Sequence, residues 1–288
     1  MNSVPFAFYD AVTRFLRTSS LTSCCDLSGL VGTVASETFE KLAYDLTFIE
    51  NGRFRKTIYR KFHTRIQIPS LNPSCKLFTA ITFRSTGDDK STNAEVIDRI
   101  STYRNVSAVQ LYFHTSAISN DLEGCINSLK YVTELWFFEG SAKIIPRMMQ
   151  IFVPKKTLRQ IAFNLDYQFD TATSNLLLNL LTQTQFSIAL LPNRPKKIFM
   201  LRRIIAEWKQ NSENLVGKTI FTGIFTLPNK FIQKSTASGE IRSSTEEERR
   251  MLALYYPYMH GKKLQISTND NGRSMFWDMD GQIVLMFA

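Results

Sequence analysis

The residues of this 288-residue sequence that can support catalysis or bind a metal are few, and none lies in a recognised motif. A hydrolase needs a nucleophile, a base and an orienting acid, and none of the three histidines (His63, His114 and His260) has such neighbours in the sequence. Cys24 and Cys25 are adjacent, which excludes the Cys-x₂-Cys spacing of a zinc site. We therefore expect a protein that is not an enzyme and that uses no metal or cofactor.

Two weaker signals of chemistry are present in the sequence. The segment Asp278–Gly281 resembles part of a calcium loop, but Phe276 and Phe287 occupy the positions that need acidic ligands, so a hairpin turn explains it better. No glycine-rich phosphate loop is present. His114 and Asp166, each just past a predicted strand, are the remaining candidates for an enzyme site, which would require a doubly wound sheet.

The clearest pattern in the chain is a repeated apolar motif that predicts short strands. Three copies carry an apolar triple: Val106, Val109 and Leu111, then Val132, Leu135 and Phe137, then Leu158, Ile161 and Phe163. A looser fourth copy places Ile188 and Leu190 in the last two positions. The middle residues follow at steps of 26, 26 and 27 residues, which predicts stacked strand–helix units.

Side chains alternate between the two faces of a strand, so each copy also defines a second face. On that face we expect the polar and aromatic residues Gln110, Tyr112, Glu134, Trp136, Gln160, Ala162 and Asn164. All of these except Ala162 are predicted to bind a partner protein if the face is open, with Tyr112 and Trp136 as anchors. The alternative is that helices cover both faces, which would make Trp136 a core residue.

The elements around the repeats follow from local signals. A short helix is predicted over residues 36–42, and Asn51-Gly52 predicts a hairpin between strands 44–50 and 54–62. The charges in residues 56–62 favour an exposed or edge strand.

Helical patterns over residues 94–103, 121–130, 141–152 and 196–210, and a strongly apolar segment over residues 174–181, alternate with strands. Two turn dipeptides predict a C-terminal meander. We therefore predict an α/β fold with a short helical module over residues 1–43 and a strand–helix solenoid domain over residues 44–288. The domain would begin with a hairpin (44–62) and end with the β-meander (263–288).

The formal net charge of +10 raises the alternative of a nucleic-acid-binding protein. The basic residues are scattered and interleaved with acidic ones, which is more typical of a solvated surface. No stretch has the roughly 18 apolar residues that a membrane helix needs. The first residues do not have the pattern of a secretory signal either, so we expect a cytoplasmic or nuclear protein with no membrane contact.

Several short motifs resemble those of a known family. Residues 4–35, with Val4-Pro5, the apolar spacing through Phe15-Leu16, then Leu21 and Leu27-Ser-Gly, resemble a divergent F-box of the large nematode-type families. The Asn51-Gly52 hairpin and the ending from Arg273 to Phe287 are also similar to those families. The alternating region between them resembles a degenerate leucine-rich-repeat-like α/β domain.

The resemblance implies a substrate-recognition subunit of a cullin-type ubiquitin ligase. An F-box docks on the adaptor protein of the ligase, and the following domain recruits the substrate protein. The adaptor-binding residues that the resemblance implies are Pro5, Phe8, Val12, Phe15, Leu16 and Leu21. The alternative is that these N-terminal helices only cap the exposed core of the solenoid.

Overall fold

A computed structural model describes most of the chain. The residues described are 24–40, 42–50, 53–60, 64–66, 76–84, 94–106, 108–192, 198–222, 241–243, 245–246, 264–268, 274–278 and 283–287. The chain divides into two compact units: unit 1 comprises residues 1–114 and 118–133, and unit 2 comprises residues 115–117 and 134–288.

Unit 1 combines helices with a mixed sheet. Its elements are α1 (Leu30–Glu40), β1 (Leu42–Glu50), β2 (Arg53–Arg60), β3 (Thr64–Ile66), β4 (Lys76–Arg84), α2 (Ala94–Ser101), β5 (Val109–His114) and α3 (Asn120–Ser128). The strand order is β3-β2-β1-β4-β5. Strands β1, β4 and β5 are parallel, whereas β2 and β3 are antiparallel to their neighbours.

The predicted hairpin is confirmed, because Glu50 pairs with Arg53 across β1 and β2. Of the predicted exposed or edge strand over residues 56–62, the part Ile58–Arg60 is not an edge, because β3 pairs with it on the side opposite β1.

Helix α1 is longer than the predicted helix over residues 36–42 and begins six residues earlier. Gly29 precedes α1 with a φ of 80°, a conformation that glycine adopts without strain. Gly32 lies inside the first turns, where a Cβ atom would collide with the backbone carbonyl of Leu27. The two glycines that interrupt the apolar pattern therefore allow the helix to start against the preceding turn.

Unit 2 is built around four parallel strands. Its elements are β6 (Val132–Phe138, which begins at the end of unit 1), a 3₁₀ turn (Ala142–Ile144), α4 (Ile145–Phe152), β7 (Gln160–Asn164), α5 (Thr171–Leu181), β8 (Ile188–Leu191), α6 (Ile198–Asn211), a second 3₁₀ turn (Ser212–Leu215), β9 (Thr219–Thr222), β10 (Ile241–Ser243), β11 (Leu264–Thr268), β12 (Ser274–Asp278) and β13 (Ile283–Phe287). The strand order is β6-β7-β8-β9-β13-β12-β11-β10. The predicted meander is confirmed by the antiparallel pairing of β11, β12 and β13.

Two helices of unit 2, α4 and α5, start where the sequence provides a local signal. Pro146 lies in the first turn of α4, where the lack of an N–H has no cost. The Asp170 carboxylate caps α5 by accepting a hydrogen bond from the Thr173 N–H at 2.7 Å. Beneath these helices the Phe137 and Phe163 rings stack with centroids 5.6 Å apart, and both side chains are buried.

The register of β8 corrects the predicted fourth repeat. Ile161 pairs with Ala189 rather than with Ile188. Ala189 and Leu191 are buried, whereas Ile188 and Leu190 lie on the other, half-buried face. The run Ile-Ala-Leu-Leu is apolar on both faces, so its alternation does not define which residues point to the core.

Two further findings bear on the predicted class. In the described part of the chain, no helix has the length and apolar character needed to cross a membrane. Cys24, Cys25 and Cys125 form no disulfide bond among the described residues, and Cys75 lies outside those residues. The α/β class, with parallel strands alternating with helices, is confirmed.

Candidate functional site on the open sheet face

In unit 2, one face of the parallel strands carries none of the helices that connect these strands. Strands β6, β7, β8 and β9 are neighbours in chain order, and α4, α5 and α6 connect them. Crossovers between parallel strands are right-handed, so three successive crossovers in one direction place their helices on the same face. The residues on that face are fully buried in β6 and β7, for example Leu135 and Ile161, whereas most residues of the opposite face are half-buried. We call the opposite face the open face.

A row of apolar side chains crosses the open face. The strand registers place Trp136 beside Ala162, Ala162 beside Leu190, and Leu190 beside Phe221. Trp136, Leu190 and Phe221 are half-buried, and the small Ala162 between them is fully buried. Neighbouring strands lie about 4.8 Å apart, so this apolar row spans roughly 14 Å.

The polar residues predicted for this face flank the apolar row. Glu134 pairs in register with Gln160, and both are half-buried, while Asn164 is exposed at the end of β7. The Trp136 indole N–H donates a hydrogen bond to Glu134 Oε2 at 3.0 Å, which restricts the rotation of the tryptophan side chain. The structure therefore brings Glu134, Trp136 and Gln160 together on one face, and their role in binding stays a prediction.

The remaining predicted partner-binding residues, Gln110 and Tyr112, lie on β5 in unit 1. They alternate with the buried Val109, Leu111 and Phe113, so they point to the opposite face of the strand. The Tyr112 hydroxyl donates to Gln110 Oε1 at 3.1 Å. This pair repeats the arrangement of Trp136 and Glu134, in which an aromatic polar group is held by the residue two positions earlier.

Sequence reasoning missed two members of the apolar row. The fourth repeat predicts Leu190 in the core because its register is shifted by one residue, and the repeats do not extend to Phe221. The signal that finds both is the pairing of β8 with β9, which only the sheet provides.

The predicted adaptor-binding residues cannot be placed, because Pro5, Phe8, Val12, Phe15, Leu16 and Leu21 lie outside the described residues. Of the family-like N-terminal segment, the structure describes only residues from Cys24 onward, including the start of α1.

The two candidate residues for an enzyme site belong to different units. His114 ends β5 in unit 1 and is half-buried, and burial together with the nearby Arg84 guanidinium lowers its pKa. Asp166 is exposed beyond β7 in unit 2. Within the ranges that the structure describes, no group of three histidine, cysteine or acidic residues is arranged to hold a metal ion.

A buried polar cluster in unit 1 was not anticipated. Lys56 Nζ lies 2.8 Å from Asp45 Oδ2, and Asp45 is almost completely buried. The hydroxyls of Thr47 and Tyr103 are 2.8 Å apart beside this ion pair. Burial acts to lower the pKa of Lys56, but the Asp45 carboxylate and Tyr103 outweigh it, so the Lys56 pKa is raised. Burial also raises the pKa of Tyr103. The internal pairing of these groups indicates a structural role.

Unit 2 contains a buried lysine with a similar role. Lys218 precedes β9, and its ammonium donates to the carbonyls of Gln183 and Phe186, both at 2.6 Å. These carbonyls belong to the turn after α5, where a positive charge also interacts favourably with the helix dipole. Burial lowers the pKa of Lys218.

Comparisons with known proteins add no further assignment. No protein-family profile, curated protein sequence or solved structure matches this chain.

Proposed function

We propose that this chain is a non-catalytic protein-interaction protein that binds another protein through the open face of unit 2. The observation that supports this proposal is the apolar row of Trp136, Ala162, Leu190 and Phe221 with polar residues beside it. Protein interfaces have this composition: aromatic anchors at the centre and a polar rim. The hydrogen bond between Trp136 and Glu134 orders the anchor in advance, which reduces the entropy lost on binding.

We further propose that the alternating strands and helices form an irregular leucine-rich-repeat-like solenoid whose open face receives a substrate protein. The resemblance of residues 4–35 to an F-box then makes the chain a substrate-recognition subunit of a cullin-type ubiquitin ligase. In this proposal Pro5, Phe8, Val12, Phe15, Leu16 and Leu21 contact the adaptor. Catalysis belongs to the other ligase subunits, and the protein acts in the cytoplasm or nucleus.

The open face is tested by replacing its anchor. We expect Trp136→Ala to cost only about 1–2 kcal/mol of folding free energy, because the side chain is half-buried. The matched change Trp208→Ala removes a fully buried tryptophan and should cost about 3–5 kcal/mol. Urea unfolding of both variants measures this difference, and an equal loss would place Trp136 in the core.

The same variant tests binding. Proteins that the wild-type chain retains on affinity purification should be lost with Trp136→Ala and with Leu190→Ser. They should be kept with Val216→Ser, which changes an exposed apolar residue elsewhere in unit 2. An identical set of retained proteins in all four samples would reject the open face as a binding surface.

The ligase role is tested separately by co-purification with the adaptor of cullin-type ligases. We expect the wild type to bind the adaptor, and the variant Pro5→Ala/Phe8→Ala to lose this binding while its thermal unfolding is unchanged. If the wild type does not bind the adaptor, the ligase role is rejected, whereas the binding role of the open face is judged by the Trp136 experiments alone.

A further inference from the structure

A second surface, in unit 1, combines exposed arginines with an aromatic ring. Phe48 of β1 pairs in register with Arg55 of β2, and the Arg55 guanidinium carbon lies 5.2 Å from the centroid of the Phe48 ring. Arg84, from β4 on the other side of β1, lies 5.5 Å from the same centroid. Arg53 lies two residues before Arg55 and therefore on the same side of β2. We call Phe48, Arg53, Arg55 and Arg84 the arginine cluster.

The charges of this cluster are not balanced internally. Its three arginines are exposed, and the nearest carboxylate in the strand registers is that of Glu50, which pairs with both Arg53 and Arg84. Among the described residues, the ion pairs are Lys56 with Asp45 and Arg99 with Glu95, so neither involves the cluster. Among the residues that the structure describes, three positive charges thus face one negative charge. Burial and Arg84 lower the pKa of the adjacent His114, which favours its neutral form.

The same region is concave. A cavity of about 640 Å³ is lined by Phe48, Glu50, Arg53, Phe54 and Arg55. Phe54 lies between Arg53 and Arg55 and so points to the other face of β2, which leaves Phe48 as the aromatic ring on the side of these arginines. Guanidinium groups grouped in this way suit a ligand that carries carboxylates.

We propose that the arginine cluster binds an extended acidic segment of a partner protein. Residues two apart on a strand are separated by about 7 Å, which is also the distance between alternate side chains of an extended peptide. Alternate glutamate or aspartate residues can therefore meet Arg53 and Arg55 in succession. The contacts of Arg55 and Arg84 with Phe48 hold the two guanidinium groups in place, so less side-chain entropy is lost when a carboxylate binds.

A single-stranded nucleic acid fits this surface less well than an acidic peptide. Proteins bind single strands by stacking bases on exposed aromatic faces along a basic groove. The Phe48 ring already has a guanidinium group from each neighbouring strand against it, so it is not a stacking platform for a base. This proposal does not depend on the ligase role or on the open face of unit 2.

The test measures fluorescence anisotropy of a dye-labelled peptide of alternating glutamate and serine with the full chain. We expect Arg55→Gln/Arg84→Gln to weaken binding at least about tenfold, the effect of losing charge-assisted hydrogen bonds. Lys130→Gln/Lys143→Gln removes the same charge from exposed positions elsewhere and should weaken binding less than about twofold. Arg53→Gln removes an exposed arginine that contacts no ring in the described structure, so this variant should stay folded. It should also weaken binding, and it replaces the double variant in the test if the double variant unfolds.

Several results would overturn the proposal. These are an absence of peptide binding by the wild type, an equal loss in both double variants, or equal binding of a peptide of alternating glutamine and serine. Tighter binding of an oligothymidylate than of the acidic peptide, lost in Arg55→Gln/Arg84→Gln, would assign the surface to nucleic acid instead.

Discussion

The ion pair of Lys56 and Asp45 explains why part of β2 is buried although the strand is rich in basic residues. Lys56 lies in a segment rich in basic residues, and its charge alone favours an exposed strand. In the structure its ammonium contacts a carboxylate that is almost fully buried, beside the hydroxyls of Thr47 and Tyr103. Lys56 points inward because of the Asp45 carboxylate, which lies 11 positions earlier in the chain. Only the pairing of β1 with β2 brings these two groups together.

This cluster predicts a loss of stability at alkaline pH. The folded-state pKa values of Lys56 and Tyr103 are both raised, so the folded chain holds these protons more tightly than the unfolded chain. Their contribution is therefore fully present below the unfolded pKa values, near 10, and is lost as the pH rises through the folded values. Urea unfolding from pH 8 to pH 11 should show a falling free energy of unfolding above about pH 10.

The control for this prediction is the variant Lys56→Met/Tyr103→Phe. It should be less stable than the wild type at pH 7 by about 3–5 kcal/mol, because Asp45 is left buried without its partner. Above about pH 10 its free energy of unfolding should fall less than that of the wild type, because the variant lacks the two groups with raised pKa values. All other titrating groups are the same in both proteins, so their effects cancel in the comparison. Parallel pH curves for the two proteins would contradict the assignment.

At the scale of the elements, Lys218 joins parts of unit 2 that are distant in sequence. It lies just before β9 and binds the turn that follows α5, more than 30 residues earlier. The backbone N–H of Thr219 donates to the Ser187 carbonyl at 2.8 Å, so two adjacent residues fix the same turn. This contact sets where β9 begins relative to β8, and thereby the position of Phe221 in the apolar row.

We expect Lys218→Met to lower the free energy of unfolding by about 2–3 kcal/mol, because it leaves buried carbonyls without a donor. Chemical denaturation measures the change. Lys130→Met, an exposed lysine, should change stability by less than about 0.5 kcal/mol. Equal effects of the two substitutions would show that the turn carbonyls find other donors.

At the scale of the whole molecule, local signals predicted most elements, but not their partners. Period-two and helical patterns identified the parallel strands and helices, and turn dipeptides identified the hairpin and the meander. The predicted register of β8 is wrong because Ile188 and Leu190 are as apolar as the residues that point into the core. A strand that is apolar on both faces is fixed by its neighbours rather than by its own sequence.

The candidate sites show the same division between local and long-range information. Alternation along single strands was sufficient to group Glu134 with Trp136 and Gln110 with Tyr112. It was not sufficient to find the apolar row or the arginine cluster, because both consist of residues from several strands. Arg84 and Arg55 lie 29 positions apart, and no short motif connects them.

The outermost strands of the two units have a consequence for association between chains. β3 and β10 are each three residues long. Short terminal strands present few backbone groups to an incoming strand, so they resist the edge-to-edge pairing that leads to sheet polymers. Short strands at these two described edges therefore limit self-assembly through strand pairing, and the proposed binding surfaces lie on strand faces rather than on these edges.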